Sequence, residues 1–406
     1  MRVLILSPEA PAYPGAGGQS RQHSLLEPLA NRYDIRVLTT GAPPVFGAPP
    51  LGVDVRHIAP QPPRPAPDGA WLTRNVRHLA SGPPWLHYFG LHDCDALGPE
   101  LVGQLAEFRP DLVQVEHGHL APLLAGLPED MPKILSLPNL LIRNQRDILA
   151  HRAPRSPFGP ATEWMVMARQ ERRDMVAASA VIVASQRDKR MARRLQPRAT
   201  VRVVPNCIDV TYFRRNRPRA DRPTVVMTAT YYWPPNQVAA KDLLTDIFPA
   251  VRARVPDAEL VLVGQGMPDW LSAMVQVCPG ARATGTVDDV RPELQRAWAS
   301  VAPLRSVAGS QIKVMEALAS GVPAVTSPAV AQALGVGEAD GVLEAASPAA
   351  FADQLAHVLG DPARRGVLAE SGVKSAQQFD RIPAARGLES VWLEVAGSKV
   401  ADLAPA

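Results

Sequence analysis

The sequence predicts an α/β protein built from two Rossmann-like, doubly wound domains facing a cleft. Three observations predict it. Short apolar runs recur along the 406 residues, separated by stretches of roughly 10 to 15 residues with helical patterning. The length allows two domains, each with its own core. Glycine-bearing or polar segments follow several of the apolar runs, where parallel sheets of this kind hold ligands.

In the first half the runs that read as strands are Val3–Ser7, Ile35–Thr39, Val53–Ile58, Leu112–Glu116, Ile134–Leu137, Val181–Ser185 and Val201–Val204. In the second half they are Thr224–Thr228, Leu260–Gly264, Arg282–Gly285, Ser300–Leu304 and Pro323–Ser327. Helices are expected over 19–31, 290–298 and 379–395. A charged, proline-bearing stretch, 216–223, separates the two sets of strands. The expected division is 1–205, then 206–378, then a terminal helix and tail over 379–406. Proline-rich surface loops are expected over 43–67 and 82–84.

Hydrophobic content of 46% and charged content of 20% are those of a soluble globular chain. Cys94, Cys207 and Cys278 are too isolated for a metal site or a disulfide framework, which suits a reducing cytoplasm. The opening MRVLILSPEAP reads as a first strand, its apolar run being too short for a signal peptide, and no window approaches 18 apolar residues. Charge is uneven. Residues 133–220 hold 19 Lys and Arg against 6 Asp and Glu, a net +13. That calls for an anionic partner: a phospholipid surface, a phosphate-bearing acceptor or nucleic acid. No nucleic-acid-binding module is recognisable, so nucleic acid is not expected.

The richest stretch is 309–327, GSQIKVMEALASGVPAVTS. It reads as a loop, a helix, a glycine stop and a short buried strand. Gly309, Ser310 and Gln311 fall at the helix start, where unpaired amides and the helix dipole favour an anion. Lys313 adds a cation one turn in. Glu316, about two turns after Gly309, can accept hydrogen bonds from vicinal hydroxyls. Diphosphate beside diol is the pattern of a nucleotide sugar. Gly321 and Pro323 are the expected stop signals.

Other constellations lie at strand ends. Gly15, Gly17 and Gly18 follow the first strand and allow close backbone approach to a phosphate or sugar, without the spacing of a dinucleotide fingerprint. Glu116, His117 and His119 end the strand from Leu112. Zinc ligation by them is disfavoured, because adjacent strand residues point to opposite faces. Thr284–Val290 carries Asp288 and Asp289, a pair that could suit Mg²⁺ but in which Asp288 is expected to cap the following helix. Lys241 is a further candidate near phosphate, and Tyr231, Tyr232 and Trp233 are candidate core aromatics.

The segment Glu316-Ala317-Leu318-Ala319-Ser320-Gly321-Val322-Pro323-Ala324-Val325 closely resembles the donor-binding helix of the group 1 retaining glycosyltransferases of the GT-B fold. So do the glycine loop at Gly17 and Gly18, the Asp111–His119 strand, Pro205–Phe213 with Cys207 in place of a glycine, and the Gly285–Val287 loop. Two departures stand out. Ala308 replaces a second glutamate, and the loop after Thr228 lacks the usual Arg.

The resemblance implies transfer of a sugar from a nucleoside diphosphate sugar to a glycan, lipid-linked or small-molecule acceptor, with retention and no metal or other cofactor. It implies a donor site of Gly17, Gly18, Val287, Gly309, Ser310, Gln311, Lys313 and Glu316. His119 and Lys313 take catalytic roles, and His117, Arg143 and Arg146 face the acceptor. Two alternatives stay open: a nucleotide-sugar epimerase of the same fold, and a catalytically idle nucleotide-sugar-binding protein. The basic segment implies peripheral contact with an anionic membrane, from the cytoplasm.

Overall fold

The computed structural model describes residues 1–13, 15–43, 47–59, 91–140, 142, 160–214, 216–305 and 311–401. The chain divides into two compact units, Met1–Pro205 with Ile382–Ala406, and Asn206–Arg381.

The first unit is a seven-stranded parallel sheet in the order β3-β2-β1-β4-β5-β6-β7. Its strands are β1 Arg2–Ser7, β2 Asp34–Thr39, β3 Val53–His57, β4 Leu112–Glu116, β5 Lys133–Leu137, β6 Ala180–Val183 and β7 Val201–Val203. The central strands read as unbroken apolar runs because helices cover both faces; every residue of β4 and β6 is buried. The edge strand β3 keeps two of its five residues exposed. Leu4, Leu6, Leu97, Val113, Leu135 and Val181 belong to one buried cluster. The chain passes from β1 outward to β3, then returns to lay β4 on the other side of β1. The order reverses there, so the carboxyl ends of β1 and β4 splay apart and leave a crevice.

The helix after β1 spans Gly17–Leu26 rather than 19–31, and a single 3-10 turn, Glu27–Leu29, follows. Pro28 has no amide to continue the α pattern, so the turn tightens. At the other end of the chain, helix Arg381–Ala401 packs into this unit. Trp392 is fully buried, donates its indole N–H to Gln114 Oε1 at 2.7 Å, and meets Tyr33 edge-on at 5.6 Å.

The second unit repeats the plan with six parallel strands in the order β10-β9-β8-β11-β12-β13. These are β8 Thr224–Thr228, β9 Glu259–Val263, β10 Ala281–Gly285, β11 Ala299–Ala302, β12 Ala324–Thr326 and β13 Val342–Glu344. β13 is not among the expected strands: it has only three residues and no pattern of its own. Its pairing with β12 makes it a strand. Order reverses beside β8, whose neighbours are β9 and β11. Gly264, just past β9, has φ +136°, and a Cβ there would overlap the Ala229 carbonyl oxygen. The loops after β8 and β9 therefore pack backbone to backbone, joined by Tyr231 N–H donating to Gln265 O at 2.7 Å.

The stretch leading into this unit is fixed by Ile208, which bridges Asp380. Cys207 is buried and lies outside the left-handed region, since Arg109 and His117 are the only described non-glycine residues with positive φ. The cysteine thus needs no left-handed backbone, although the motif it resembles has glycine there.

Candidate functional site

In the second unit the polar groups gather at the carboxyl end of the sheet around helix Ile312–Ala319. That helix buries Ile312, Val314, Met315, Ala317 and Leu318. Lys313 and Glu316 are left on the half-buried face, one turn apart. It starts later than expected, with Gln311 as the residue before its first turn and no side-chain cap. Gly321, at φ +63°, ends it: Val322 N–H returns to Ala317 O at 2.9 Å, satisfying a terminal carbonyl.

Lys313 Nζ donates to Asn236 Oδ1 at 3.0 Å. Asn236 is itself held by its Nδ2, which donates to Thr230 O at 2.8 Å. It lies in the first turn of helix Pro234–Asp242, immediately after the β8 loop. Burial lowers the Lys313 ammonium to a pKa of about 8, partly countered by attraction to Glu316. Burial raises the Glu316 carboxyl to about 7, partly countered by Lys313. Among the described residues, Glu316 makes no side-chain hydrogen bond. Tyr212 lies close enough for Glu316 and Asp289 to help burial raise its phenol. The Arg291 guanidinium covers the Tyr212 ring at 3.6 Å.

Helix Arg291–Arg296 has Val290 before its first turn and no side-chain cap, so Asp288 does not cap it; Asp289 Oδ1 instead accepts from Arg291 N–H at 2.8 Å. Both Asp289 oxygens also accept from Arg291 Nε, which leaves that carboxylate engaged. Val287 is half-buried in the loop after β10. Lys241 is exposed in the last turn of helix Pro234–Asp242, away from the β8 loop at that helix's start. Of the three aromatics after β8, only Tyr231 is core. Tyr232 and Trp233 are 56% and 37% exposed.

In the first unit the crevice between β1 and β4 is lined by the loop after Ser7, the start of helix Gly17–Leu26, and His117. Gly17 is exposed and Gly18 half-buried. A Cβ on Gly18 would lie 2.5 Å from Glu9 Oε2 and 3.9 Å from His117 Nε2. His117 has φ +69°, a conformation that costs a non-glycine residue about 1–3 kcal/mol. Burial, assisted by the Arg21 charge, lowers its imidazole to a pKa of about 4, so it is neutral at physiological pH. His119 stacks against His117 at 5.7 Å and brings Nε2 to 3.9 Å from Asp93 Oδ2.

Beneath this crevice runs a buried polar chain. Trp392 donates to Gln114, whose Nε2 donates to Glu116 Oε1 at 2.6 Å, and Glu116 Oε2 lies 3.8 Å from Arg21 Nη1. Arg21, Gln22 and Gln114 carry no sequence signal. Their helix and strand bury polar side chains that a periodicity argument assigns to solvent.

The structure thus brings Gln311, Lys313 and Glu316 onto one helix, and Gly17, Gly18 and His117 into one crevice. His119 stacks on His117 and turns its Nε2 toward Asp93. Gly309, Ser310, Arg143, Arg146 and Ala308 lie outside the described residues. Among the described residues no three His, Cys, Asp or Glu side chains converge as a metal site. Cys94, Cys207 and Cys278 are not joined in disulfides.

Two doubly wound parallel sheets joined at Pro205, with a terminal helix returned to the first, define a GT-B fold. The chain belongs to the group 1 glycosyltransferases. Residues 222–361 match the family model "Glycosyl transferases group 1", and residues 17–212 match "Glycosyltransferase Family 4". A phosphatidyl-myo-inositol mannosyltransferase of Mycobacterium tuberculosis is 29% identical over 209 residues, covering 48% of this chain and 54% of that protein. The chain thus spans about half the length of the curated relatives it matches.

Sucrose-phosphate synthase from Thermosynechococcus elongatus superposes with a TM-score of 0.73 at 15% identity, covering 98% of this chain and all of that one. Anabaena HepE in complex with UDP-glucose superposes with a TM-score of 0.66 at 14% identity, covering 97% and 100%.

Proposed function

We propose that the protein transfers a hexosyl group from a nucleoside diphosphate sugar to an acceptor, with retention at the transferred carbon and without a metal ion. One observation carries the reading: Lys313 and Glu316 lie one turn apart on the helix at the carboxyl end of the second sheet, with Lys313 aimed by Asn236. In this reading the Lys313 ammonium balances the charge that develops on the departing diphosphate. Removing one such preorganised donor costs about 3 kcal/mol. Glu316 accepts the two ribose hydroxyls, the Val287 backbone borders the base, and the amides from Gly309 to Gln311 meet the phosphates. The first unit contributes Gly17 and Gly18 to the donor, His119 to catalysis, and His117, Arg143 and Arg146 to the acceptor side. Positioning and electrostatics suffice, and no protein nucleophile is invoked.

A structural neighbour bound to UDP-glucose supports a nucleotide-sugar donor, and the mannosyltransferase relative supports a lipid-linked acceptor. The test is a thermal-shift screen of nucleoside diphosphate sugars followed by turnover. A ligand at 100 times its Kd stabilises by about 2.7 kcal/mol. Failure of every nucleotide sugar to stabilise the protein or turn over would refute the reading. Release of nucleotide with an epimerised free sugar would favour the epimerase.

A separate observation favours a membrane-facing role. Arg187, Arg190, Arg193, Arg194 and Arg198 are exposed on and just after helix Gln186–Leu195. Their side chains have no ion pair among the described residues. Among these residues no helix is long and apolar enough to cross a membrane. Such a face gains about 1 kcal/mol per cation near an anionic bilayer, and we place it against the inner leaflet. Salt-sensitive co-sedimentation with anionic but not neutral vesicles is expected. Equal recovery with both would refute it.

A further inference from the structure

Glu9 is a carboxylate in the crevice of the first unit that the proposed mechanism does not use. Its backbone is locked. Ser7 Oγ donates to Glu9 O at 2.7 Å and accepts from Glu9 N–H at 3.2 Å, and Gln22 Nε2 donates to the same hydroxyl at 2.8 Å. From the other side, Gly41 packs so closely that a Cβ there would come within 3.1 Å of Glu9 Cα. The side chain is the opposite case. Its Oε2 is closed off from solvent and has no hydrogen-bond partner, and the carboxylate has no ion pair among the described residues.

A buried carboxylate without a partner is costly and is ordinarily paired. Here the surroundings are cleared for it. Gly18 has no side chain in the space that Glu9 Oε2 fills, and His117 holds a strained backbone conformation with Nε2 bordering the same point.

The charges define what fits. A carboxylate repels phosphate, so this subsite is closed to an anion although it lies at a helix start. The Arg21 charge, near enough to His117 to help lower its pKa, also disfavours a cation. His117 is neutral and offers one ring nitrogen as acceptor or donor. A neutral hydroxyl satisfies all of these: it donates to the carboxylate and exchanges a second hydrogen bond with the imidazole. We propose that Glu9, with His117 and the gap at Gly18, forms a hydroxyl-recognition subsite for a neutral sugar or cyclitol. The proposal rests on the transferase reading for the identity of the reaction, though not for the existence of the subsite. The hydroxyl belongs either to the transferred sugar or to the acceptor.

The test uses the full chain with Glu9→Gln and Glu9→Ala. Removing a residue that serves a ligand, and not the fold, leaves the thermal midpoint equal or higher, most clearly at alkaline pH where the wild-type carboxylate is charged without a partner. Saturation-transfer NMR with myo-inositol, mannose and glucose is expected to give a signal for at least one polyol with the wild type and to lose it in Glu9→Ala. Turnover is expected to fall by about tenfold to a hundredfold in both variants, while affinity for free nucleoside diphosphate stays unchanged. A fall in acceptor-independent donor hydrolysis assigns the hydroxyl to the transferred sugar. A raised acceptor KM with hydrolysis intact assigns it to the acceptor. A lowered midpoint with a parallel loss of nucleotide affinity would make Glu9 structural. Polyol signals equal in wild type and Glu9→Ala, or absent from the wild type, would also overturn the proposal. If the wild type turns over no nucleotide sugar, the transferase reading fails, and the midpoint and NMR arms still decide on the subsite.

Discussion

In the proposed donor site, Lys313 and Glu316 make nucleotide-sugar binding depend on pH. On that reading the donor is bound with Lys313 charged and Glu316 ionised. In the free protein Lys313 loses its proton through about pH 8 and Glu316 through about pH 7. Affinity for the best nucleotide sugar from the thermal screen is therefore expected to peak between those values. One pH unit above 8 leaves about one tenth of Lys313 protonated, so affinity falls about tenfold per unit there. One unit below 7 does the same through Glu316. Calorimetry at half-unit steps from pH 5.5 to 9.5, in buffers of differing ionisation enthalpy, measures both limbs and the proton taken up. Lys313→Arg removes the alkaline limb, because guanidinium does not titrate in this range. Lys313→Ala lowers turnover by about two orders of magnitude, the equivalent of about 3 kcal/mol. A flat profile in the wild type, or an alkaline limb that survives in Lys313→Ala, would refute the assignment.

Stability carries the opposite sign. Glu316, with its raised pKa, contributes stability that is full at acid pH below 4.5 and is lost as pH rises through about 7. Lys313, with its lowered pKa, contributes stability that is full above 10.5 and is lost as pH falls through about 8. Between the two values both groups are charged against the pull of burial. Glu316→Gln is therefore expected to raise the thermal midpoint at pH 8 while weakening nucleotide binding.

Asn236→Ala removes the acceptor that aims Lys313 and is expected to lower turnover by about tenfold to a hundredfold. Asn236→Asp places a carboxylate 3.0 Å from Nζ and moves the alkaline limb upward, a shift that a purely structural Asn would not produce. Gly264→Ala forces a Cβ into the Ala229 carbonyl and is expected to destabilise by about 3 kcal/mol in chemical unfolding. Trp392→Ala empties a fully buried site and leaves Gln114 Oε1 without its donor, at a cost of about 3–5 kcal/mol; an unchanged midpoint would show that the terminal helix adds nothing to the first unit.

The fold was legible because parallel strands covered on both faces are written as uninterrupted apolar runs. β4 and β6 announce themselves in that way, whereas β13 has three residues and exists only through its partner β12. Boundaries failed where one residue altered the hydrogen-bond pattern, as at Pro28. In the second unit the site was legible because its determinants are local. Lys313, Glu316 and Gly321 fall within one helix and its stop, so spacing alone places them. Asn236 is 77 residues from Lys313 in the chain, and no pattern in either segment pairs them.

The crevice of the first unit shows the limit more sharply. Gly18 was visible as a glycine, but the reason for it was not: Glu9 occupies the space, nine residues earlier and on another element. Helix Gly17–Leu26 turns Ser20, Arg21, Gln22 and Ser24 inward, so its polar sequence reads as a surface helix. What makes those residues internal is the buried chain from Trp392 through Gln114 and Glu116 to Arg21, which draws on three distant segments. A sequence states a site plainly when one element supplies it. When several elements each contribute one polar group to a buried network, every group looks ordinary alone, and only the folded packing shows that its charge has nowhere else to go.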